Sequence, residues 1–381
     1  MSYTYTKFAK KESDGMKRLL FAIAMAVGIT ACSPTPKTDE LTMIVGTYTN
    51  AGSEGIYTFK FDQEQGTVKP LEVIKMENPS YLTLSKNQQL MYVVSEKNDE
   101  TAALAAFKFD KESGKAELIN TQPTYGEDPC YVATNGKIVT TANYTGGSMS
   151  VFPLRYDGGL EPVDTVFCGN TGGPDMSRQD TPHVHCTAFT PDGKRLLVTD
   201  FSADRILHLD VEADPMKPHL LFDTTPLNKD SGPRHITFSQ DGRYVYIVSE
   251  LSEAVTVCSY NEGKMEVIQT IETHRQADRH AADIHLSPDG KFLYASVRNV
   301  EDGLAIFKVD QQTGILEKVG YQPTGKHPRN FNITPNGKFV LVAAMNDHKI
   351  EVFERNMETG LLKNLHRDIS LSEPVCIVFA K

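Results

Sequence analysis

The sequence predicts an all-β protein, a seven-bladed β-propeller with four antiparallel strands in each blade. A unit recurs about every 50 residues, and each copy has an apolar stretch, a turn of the Pro-Asp-Gly type and a second apolar stretch. A period of this size built from hairpins is typical of propellers, which have one sheet per repeat. The chain ends each supply half a unit, so pairing them in one blade closes the ring and leaves no sheet edge open.

The units follow one another along the chain. Two weaker copies begin at Asn78 and Asp128, and four clear copies begin at Pro182, Pro233, Ala281 and Pro328. Residues 374–381 form a half copy at the C-terminus, and residues 41–62 lack the first strand of a unit. Asp-Gly and Asn-Gly pairs, such as Asp192-Gly193, supply the positive φ angles that tight hairpin turns need.

Residues 1–40 are expected to lie outside the propeller domain, which spans residues 41–381. Met16-Lys17-Arg18 precedes an apolar run from Leu19 to Ile29, a pattern typical of an export signal. The run is too short to span a bilayer. Thr30-Ala31-Cys32 follows it, and this end of the run resembles a bacterial lipobox. We therefore expect translation to start at Met16, Cys32 to carry lipid, and the protein to be exported and lipid-anchored in the bacterial cell envelope.

Composition limits the possible partners. The net charge of -10 argues against a nucleic-acid-binding surface, because such surfaces need an excess of positive charge. No Walker loop, zinc-protease helix or calcium loop is present, so neither a metal nor another cofactor is expected. Contact with the membrane is expected only through the lipid anchor. We expect a monomer or a weak homodimer.

Superimposing the repeats brings charged residues to two positions. The first position, at the start of the innermost strand, holds Ser80, His185, Arg234, Ala282 and Arg329. The second, at the end of the next strand, holds Glu96, Tyr144, Phe201, Glu250, Arg298 and Met345. Because these two strands are antiparallel, both positions are expected to open on one rim of the central channel.

These side chains suit the hydrolysis of an ester. Histidine titrates near neutrality and can act as a general base. Arginine stays charged, and it binds carboxylate or phosphate or stabilises an oxyanion. We predict that His185 activates water with the help of Glu250, while Arg234 and Arg298 neutralise the oxyanion and the anionic group of a lactone. An arginine on a propeller axis can also simply bridge carbonyl groups.

The chain resembles the seven-bladed lactonase family, which includes propeller-type 6-phosphogluconolactonases and carboxymuconate lactonising enzymes. The resemblance spans about residues 41–381. It is carried by the segments 142–154, 185–200, 232–251, 281–296 and 328–343. It implies that the catalytic residues of the family correspond to His185, Arg234, Glu250 and Arg298. Arg329, Glu96, His183 and Asn143 are predicted to bind the substrate.

The resemblance implies hydrolysis of an anionic sugar lactone, 6-phosphogluconolactone to 6-phosphogluconate, without a cofactor. Two alternatives remain open at this stage. A cycloisomerase-like muconate lactonising enzyme needs the same charges, and a non-catalytic carbohydrate-binding propeller on a lipid anchor needs the same fold. Phosphorylated sugars are cytosolic intermediates, so an exported protein points to a sugar lactone outside the cytoplasm.

Overall fold

The computed structural model describes residues 39–211, 219–274 and 279–381, and confirms the predicted seven-bladed propeller. The innermost strands of the seven antiparallel sheets contact one another in ring order around a central channel. Met16, the run from Leu19 to Ile29 and Cys32 lie outside the described residues.

Blades 1 to 3 follow the chain, and the first strand of each is the innermost one. Blade 1 contains β4 (Leu82–Leu84), β5 (Leu90–Ser95), β6 (Ala103–Asp110) and β7 (Lys115–Pro123). Blade 2 contains β8 (Pro129–Thr134), β9 (Ile138–Asn143), β10 (Ser148–Pro153) and β11 (Thr165–Cys168). Blade 3 contains β12 (Val184–Phe189), β13 (Arg195–Asp200), β14 (Arg205–Asp210) and β15 (His219–Pro226).

Blades 4 to 6 repeat this order. Blade 4 contains β16 (Pro233–Phe238), β17 (Tyr244–Ser249), β18 (Ala254–Asn261) and β19 (Lys264–Glu272). Blade 5 contains β20 (Ala281–Leu286), β21 (Phe292–Val297), β22 (Gly303–Val309) and β23 (Leu316–Pro323). Blade 6 contains β24 (Pro328–Ile333), β25 (Phe339–Ala344), β26 (Lys349–Arg355) and β27 (Leu362–Asn364), with the two-residue β28 (Ile369–Ser370) also paired to β26.

Blade 7 joins the two ends of the propeller. Its strands, from the channel outward, are β29 (Pro374–Ala380), β1 (Glu40–Thr47), β2 (Gly55–Asp62) and β3 (Thr67–Lys75). β1 and β29 are antiparallel, with Thr42 opposite Ala380 and Ile44 opposite Val378. This pairing closes the ring and removes the open edge between the first and last blades.

The apolar core lies between neighbouring blades. The second strand from the channel is covered on both faces by neighbouring strands, as in β25, whose six residues are all apolar and buried. Phe61 of blade 7 packs edge-on against Phe339 of blade 6, with ring centroids 5.9 Å apart. Blade-to-blade burial therefore holds the ring together and keeps the channel end of each sheet in a fixed position.

The turns between the two inner strands have the predicted chemistry. In blade 3, Asp192 accepts hydrogen bonds from the Thr190 hydroxyl and the Lys194 backbone N–H, at 2.6 and 3.0 Å. Gly193 follows with a φ of 70°, which favours glycine. Two short 3-10 turns, Phe201–Ala203 and Met345–Asp347, follow β13 and β25. Across residues 39–211, 219–274 and 279–381, no helix is long and apolar enough to cross a membrane.

Candidate active site

A β-bulge sits near the start of five of the innermost strands, β8, β12, β16, β20 and β24. The residues at these register shifts include Cys130, His185, Arg234, Ala282 and Arg329. Bulges re-aim side chains and are common beside active sites. Apart from Ser80, which precedes β4, the first repeat position of the sequence is therefore a layer of bulged residues. Cys130 is a member that the superposition of the repeats left out.

The second repeat position directly follows the second strand of each blade. Its members are Tyr48, Glu96, Tyr144, Phe201, Glu250, Arg298 and Met345. Tyr48 is the member that the sequence analysis missed, because it belongs to the blade made from both chain ends. Since the first two strands of a blade are antiparallel, these residues lie beside the bulges at one mouth of the channel.

Glu250 is the centre of the charged cluster at this mouth. Its carboxylate accepts from Arg234 Nε at 2.8 Å and from Arg178 Nη2 at 2.7 Å. Arg298 Nη2 lies 3.2 Å away and His280 Nδ1 lies 3.8 Å away. Burial alone would raise the pKa of Glu250, but the three arginines and His280 hold it well below its usual range. Glu250 is therefore a carboxylate at neutral pH.

Arg234 and Arg298 are held from several sides. Arg234 Nη1 donates to the Ala282 carbonyl at 2.6 Å and contacts His235 Nε2 at 3.3 Å. Arg298 Nε donates to the carbonyl of His280 at 3.0 Å. Only 1% of the Arg234 side chain and 5% of the Arg298 side chain are exposed. Both guanidiniums are fixed charges beneath the mouth.

His185 is buried beside these charges. Its Nδ1 lies 3.7 Å from Cys130 Sγ, and its ring is edge-on to Tyr144 with centroids 5.5 Å apart. Burial, reinforced by the Arg234 charge, holds the pKa of His185 well below its usual range. Burial also raises the pKa of the Cys130 thiol well above its usual range. At neutral pH the pair is thus a neutral imidazole next to an inert thiol.

His183 lies beside the same Tyr144 ring as His185 but is more exposed to solvent. Its ring stacks on Tyr144 with centroids 4.2 Å apart and planes 6° from parallel. Its Nδ1 donates to the Tyr144 carbonyl at 2.8 Å. His183 therefore fixes the orientation of Tyr144 and, being only half-buried, also presents an imidazole edge at the mouth.

Arg329 and Glu96 form a second cluster in the mouth. Arg329 Nη2 lies 3.8 Å from Glu96 Oε1, and its guanidinium carbon lies 5.5 Å from the centre of the Tyr48 ring. Glu96 accepts from the Tyr48 hydroxyl at 2.8 Å and from the Ser80 hydroxyl. A cavity of about 10 Å³, roughly the size of one water, lies in the floor of the mouth. Its lining residues include Ser80, Cys130, Arg234 and Arg329.

Asn143 does not join these clusters. It is fully buried in blade 2, and its amide donates to the hydroxyls of Ser148 and Ser150 at 3.0 and 2.9 Å. Its carbonyl accepts from the Thr141 hydroxyl at 2.9 Å. The structure therefore gives Asn143 a packing role within its blade and places its neighbour Tyr144 at the mouth instead.

Comparisons with known proteins agree with this geometry. The model of the family described as "Lactonase, 7-bladed beta-propeller" matches residues 42–379. The chain belongs to the seven-bladed β-propeller lactonase family. It is 36% identical to a 6-phosphogluconolactonase of Formosa agariphila over 86% of this chain and 96% of the relative. These findings support a lactone-hydrolysing enzyme.

Solved structures extend this likeness. A Bacteroides uniformis protein that bears the provisional name 6-phosphogluconolactonase is 56% identical, with a TM-score of 0.89 over 90% of this chain and 100% of that chain. A Pseudomonas aeruginosa protein described as a periplasmic gluconolactonase is 33% identical, with a TM-score of 0.84 over 90% of this chain and 99% of that chain.

Below the charged layer, the lactonase has a buried polar layer that supports Arg234. Asp283 accepts from His235 Nδ1 at 2.7 Å and from His285 Nε2 at 3.0 Å. Because Nδ1 of His235 carries the proton for Asp283, its Nε2 is an acceptor for Arg234 when the ring is neutral. Burial lowers the pKa of His235 to about 4, which keeps the ring neutral. This chain of contacts fixes the position of the Arg234 guanidinium.

Three further residues of the site were not predicted from the sequence. His280 and His327 directly precede β20 and β24, as His183 precedes β12. Reading the repeat two residues before its first position would have found them, because His183, His280 and His327 precede His185, Ala282 and Arg329 by two. Arg178 lies in a long connection without a repeat, so no periodic signal could find it. Among the described residues, no group of three or more His, Cys, Asp or Glu side chains is arranged to hold a metal ion.

Proposed function

We propose that this protein hydrolyses an anionic sugar lactone at the charged mouth of the channel. The name of the Formosa agariphila relative, 6-phosphogluconolactonase, describes the same kind of reaction. The observation that carries the proposal is an excess of positive charge. Four arginines share the mouth with two glutamates, which leaves a balance of two positive charges (4 − 2). The six residues are Arg178, Arg234, Arg298, Arg329, Glu96 and Glu250. An anionic substrate offsets these two positive charges, whereas a neutral substrate does not.

Arg329 is the residue that meets the lactone carbonyl. Its ion pair with Glu96 is long, at 3.8 Å, and within the described part of the chain its guanidinium makes no hydrogen bond. Its N–H donors are therefore available to an oxygen placed over the floor of the mouth. Arg234, which lines the same floor, adds positive charge from beneath. Fixed donors and charges at this position stabilise the oxyanion that forms when water attacks the carbonyl.

His185 moves the proton. It is neutral at physiological pH, so it takes a proton from the attacking water as the new C–O bond forms. The tetrahedral oxyanion then collapses, the ring C–O bond breaks, and the same proton passes to the departing ring oxygen. The product is a hydroxy acid that ionises in water. Burial and Arg234 disfavour the imidazolium, so His185 returns the proton readily.

Glu250 acts mainly on the arginines. Assistance to His185 was expected from the sequence, but the two arginines that donate hydrogen bonds to Glu250 are Arg178 and Arg234. It therefore holds the guanidiniums in place and keeps their mutual repulsion low enough for a buried cluster. A role in positioning His185 through this cluster stays a prediction.

The export signal predicted at Met16 to Cys32 belongs to the same proposal. A protein anchored by lipid on Cys32 in the cell envelope meets sugar lactones outside the cytoplasm. The Pseudomonas aeruginosa relative described as a periplasmic gluconolactonase supports this location. Labelling growing cells with a radioactive fatty acid tests it, because the Cys32→Ala variant should lose the label.

A panel of lactones tests the proposed reaction. The purified protein is assayed by pH-stat with 6-phosphogluconolactone, unphosphorylated gluconolactone and a muconolactone, each against its uncatalysed rate. The proposal predicts turnover of a sugar lactone, with the phosphorylated one preferred. The His366→Asn variant is the matched control, since His366 is an exposed histidine of blade 6 whose φ of 52° suits asparagine.

Each result of the panel has a definite meaning. Turnover of the muconolactone alone would replace the hydrolase with a lactonising enzyme. Saturable binding of sugars without any turnover would instead indicate a carbohydrate-binding propeller. Either result would contradict the proposed reaction.

A further inference from the structure

The connection between blades 2 and 3 is longer than its equivalents. Residues 169–183, which we term the crossing loop, join β11 to β12 in 15 residues. The connections that leave blades 1, 3, 4, 5 and 7 have four to eight residues. The crossing loop ends at the start of the innermost strand β12, where His185 lies, so it is on the face of the channel mouth. The extra length of the crossing loop therefore adds material beside the site.

The crossing loop is anchored at several points. Gln179 is buried, and its amide donates to the Phe201 carbonyl at 3.1 Å and to Asp204 at 2.8 Å. Asp175 accepts from Arg279 Nη2 at 2.8 Å, and it also accepts the backbone N–H of Gln179 at 2.7 Å through its carbonyl. These bonds hold the turn that carries Arg178, so its side chain is placed before any ligand arrives.

Arg178 reaches from this turn into the mouth. Its Nη2 donates to Glu250 at 2.7 Å and to the Tyr144 hydroxyl at 3.3 Å, and its guanidinium carbon lies 5.6 Å from the centre of the Phe201 ring. Within the described residues, its Nε and Nη1 make no hydrogen bond. The N–H groups on these two atoms are donors that a ligand could use.

Exposure separates Arg178 from the inner arginines. Its side chain is 28% exposed, whereas those of Arg234 and Arg298 are 1% and 5% exposed. Arg234 and Arg298 also donate hydrogen bonds to backbone carbonyl groups, so their guanidiniums are not free to turn toward a large group of the substrate. Arg329 is 20% exposed, but it faces the floor. Among these four arginines, Arg178 is therefore the most exposed and lies at the outer end of the mouth.

We propose that Arg178 is the specificity-determining residue that binds the anionic group of the substrate distal to the lactone carbonyl. That group is a phosphate or a carboxylate, which a guanidinium recognises through charge-assisted hydrogen bonds. The inference rests on the proposed lactone hydrolysis and adds to it a division of labour. Arg329 contacts the carbonyl at the floor, and Arg178 contacts the far anion at the rim.

Steady-state kinetics on two substrates tests this division. The substrates are 6-phosphogluconolactone and gluconolactone, which differ in the phosphate. Arg178→Gln should lower kcat/KM for the phosphorylated lactone by about 10- to 100-fold, mainly through KM, because a hydrogen bond to a charged group is lost. The kcat/KM of this variant for gluconolactone should change less than about 3-fold, because gluconolactone has no phosphate for Arg178 to bind. Arg178→Lys should recover part of the loss, since it keeps the charge.

A surface arginine provides the matched control. Arg243→Gln removes an exposed arginine that pairs with Asp241 on a turn of blade 4, and both rates should stay at the wild-type level. An equal loss on both lactones in Arg178→Gln would show that Arg178 acts only by holding Glu250, and would overturn the inference. Unchanged rates on both would overturn it as well. In both of these cases the proposed function would still hold, provided that the wild-type protein hydrolyses the lactones. A wild-type protein that is inactive on both lactones would overturn the proposed function and this inference together.

Discussion

Replacing Glu250 by glutamine should destabilise the protein measurably. The substitution keeps the shape of the side chain but removes the negative charge shared by three arginines. Arg178 still reaches water, but Arg234 and Arg298 are buried and keep their charges. Removing one partner of a buried ion pair costs about 3–5 kcal/mol. With about 2.1 cal/mol/K per residue over roughly 340 residues, this corresponds to a fall in Tm of about 4–7 °C.

Differential scanning calorimetry at several pH values measures the effect. The arginines hold the folded-state pKa of Glu250 below its unfolded value, so its stabilisation is present above pH ~4.5 and is lost as the pH falls through the folded pKa. The difference in Tm between wild type and Glu250→Gln should thus have its largest value at pH 7 and should decrease below about pH 4.

An exposed glutamate gives the comparison for this variant. Glu72→Gln breaks only a long surface pair with Lys115 and should shift Tm by about 1 °C or less. A Glu250→Gln variant that melts at or above the wild-type Tm at pH 7 would refute the reasoning. So would a gap in Tm that stays constant down to pH 3.

Three further outcomes follow from the same contacts. Arg329→Gln should lower kcat by about 10²- to 10³-fold through loss of a donor to the oxyanion, and unchanged steady-state kinetics would contradict its placement. Because burial and Arg234 hold the pKa of His185 well below its usual range, the pH profile of kcat/KM should be flat from pH 6 to 8, and a midpoint near 6.5 would contradict that depressed pKa. Asn143→Ala should lower the free energy of unfolding by about 1–3 kcal/mol, because the hydrogen bonds of Asn143 lie inside blade 2. Its kcat/KM should stay within about twofold of the wild-type value. A large rise in KM would show that Asn143 binds the substrate, as predicted from the sequence.

The repeat made much of the molecule predictable. Each blade uses the same inner hairpin, so one position in the repeat corresponds to one level in the channel. Arg234 and Glu250 occupy different positions of one unit, and the structure joins them by a 2.8 Å bond. Closure by β1 and β29 was predictable for a related reason, because an unpaired sheet edge is unfavourable and the two half units complement each other.

Residues outside the repeat could not be found in this way. Arg178 reaches the mouth only because the crossing loop folds back over it, and the position of a loop depends on tertiary bonds such as those of Gln179. Asn143 lies away from the charged clusters for a local reason, and its predicted contact with substrate stays a prediction. Neighbouring residues at the end of a strand point to opposite faces, so Tyr144 faces the mouth while Asn143 is buried in its own sheet.

The central claim is that His185 moves the proton during lactone hydrolysis at the channel mouth. The most direct measurement is kcat for His185→Ala and His366→Asn on the best sugar lactone, each variant first shown by calorimetry to be folded at the assay temperature. The account predicts that His185→Ala loses about 10²- to 10⁴-fold in kcat while His366→Asn keeps the wild-type rate. A folded His185→Ala protein within twofold of the wild-type kcat would contradict the account.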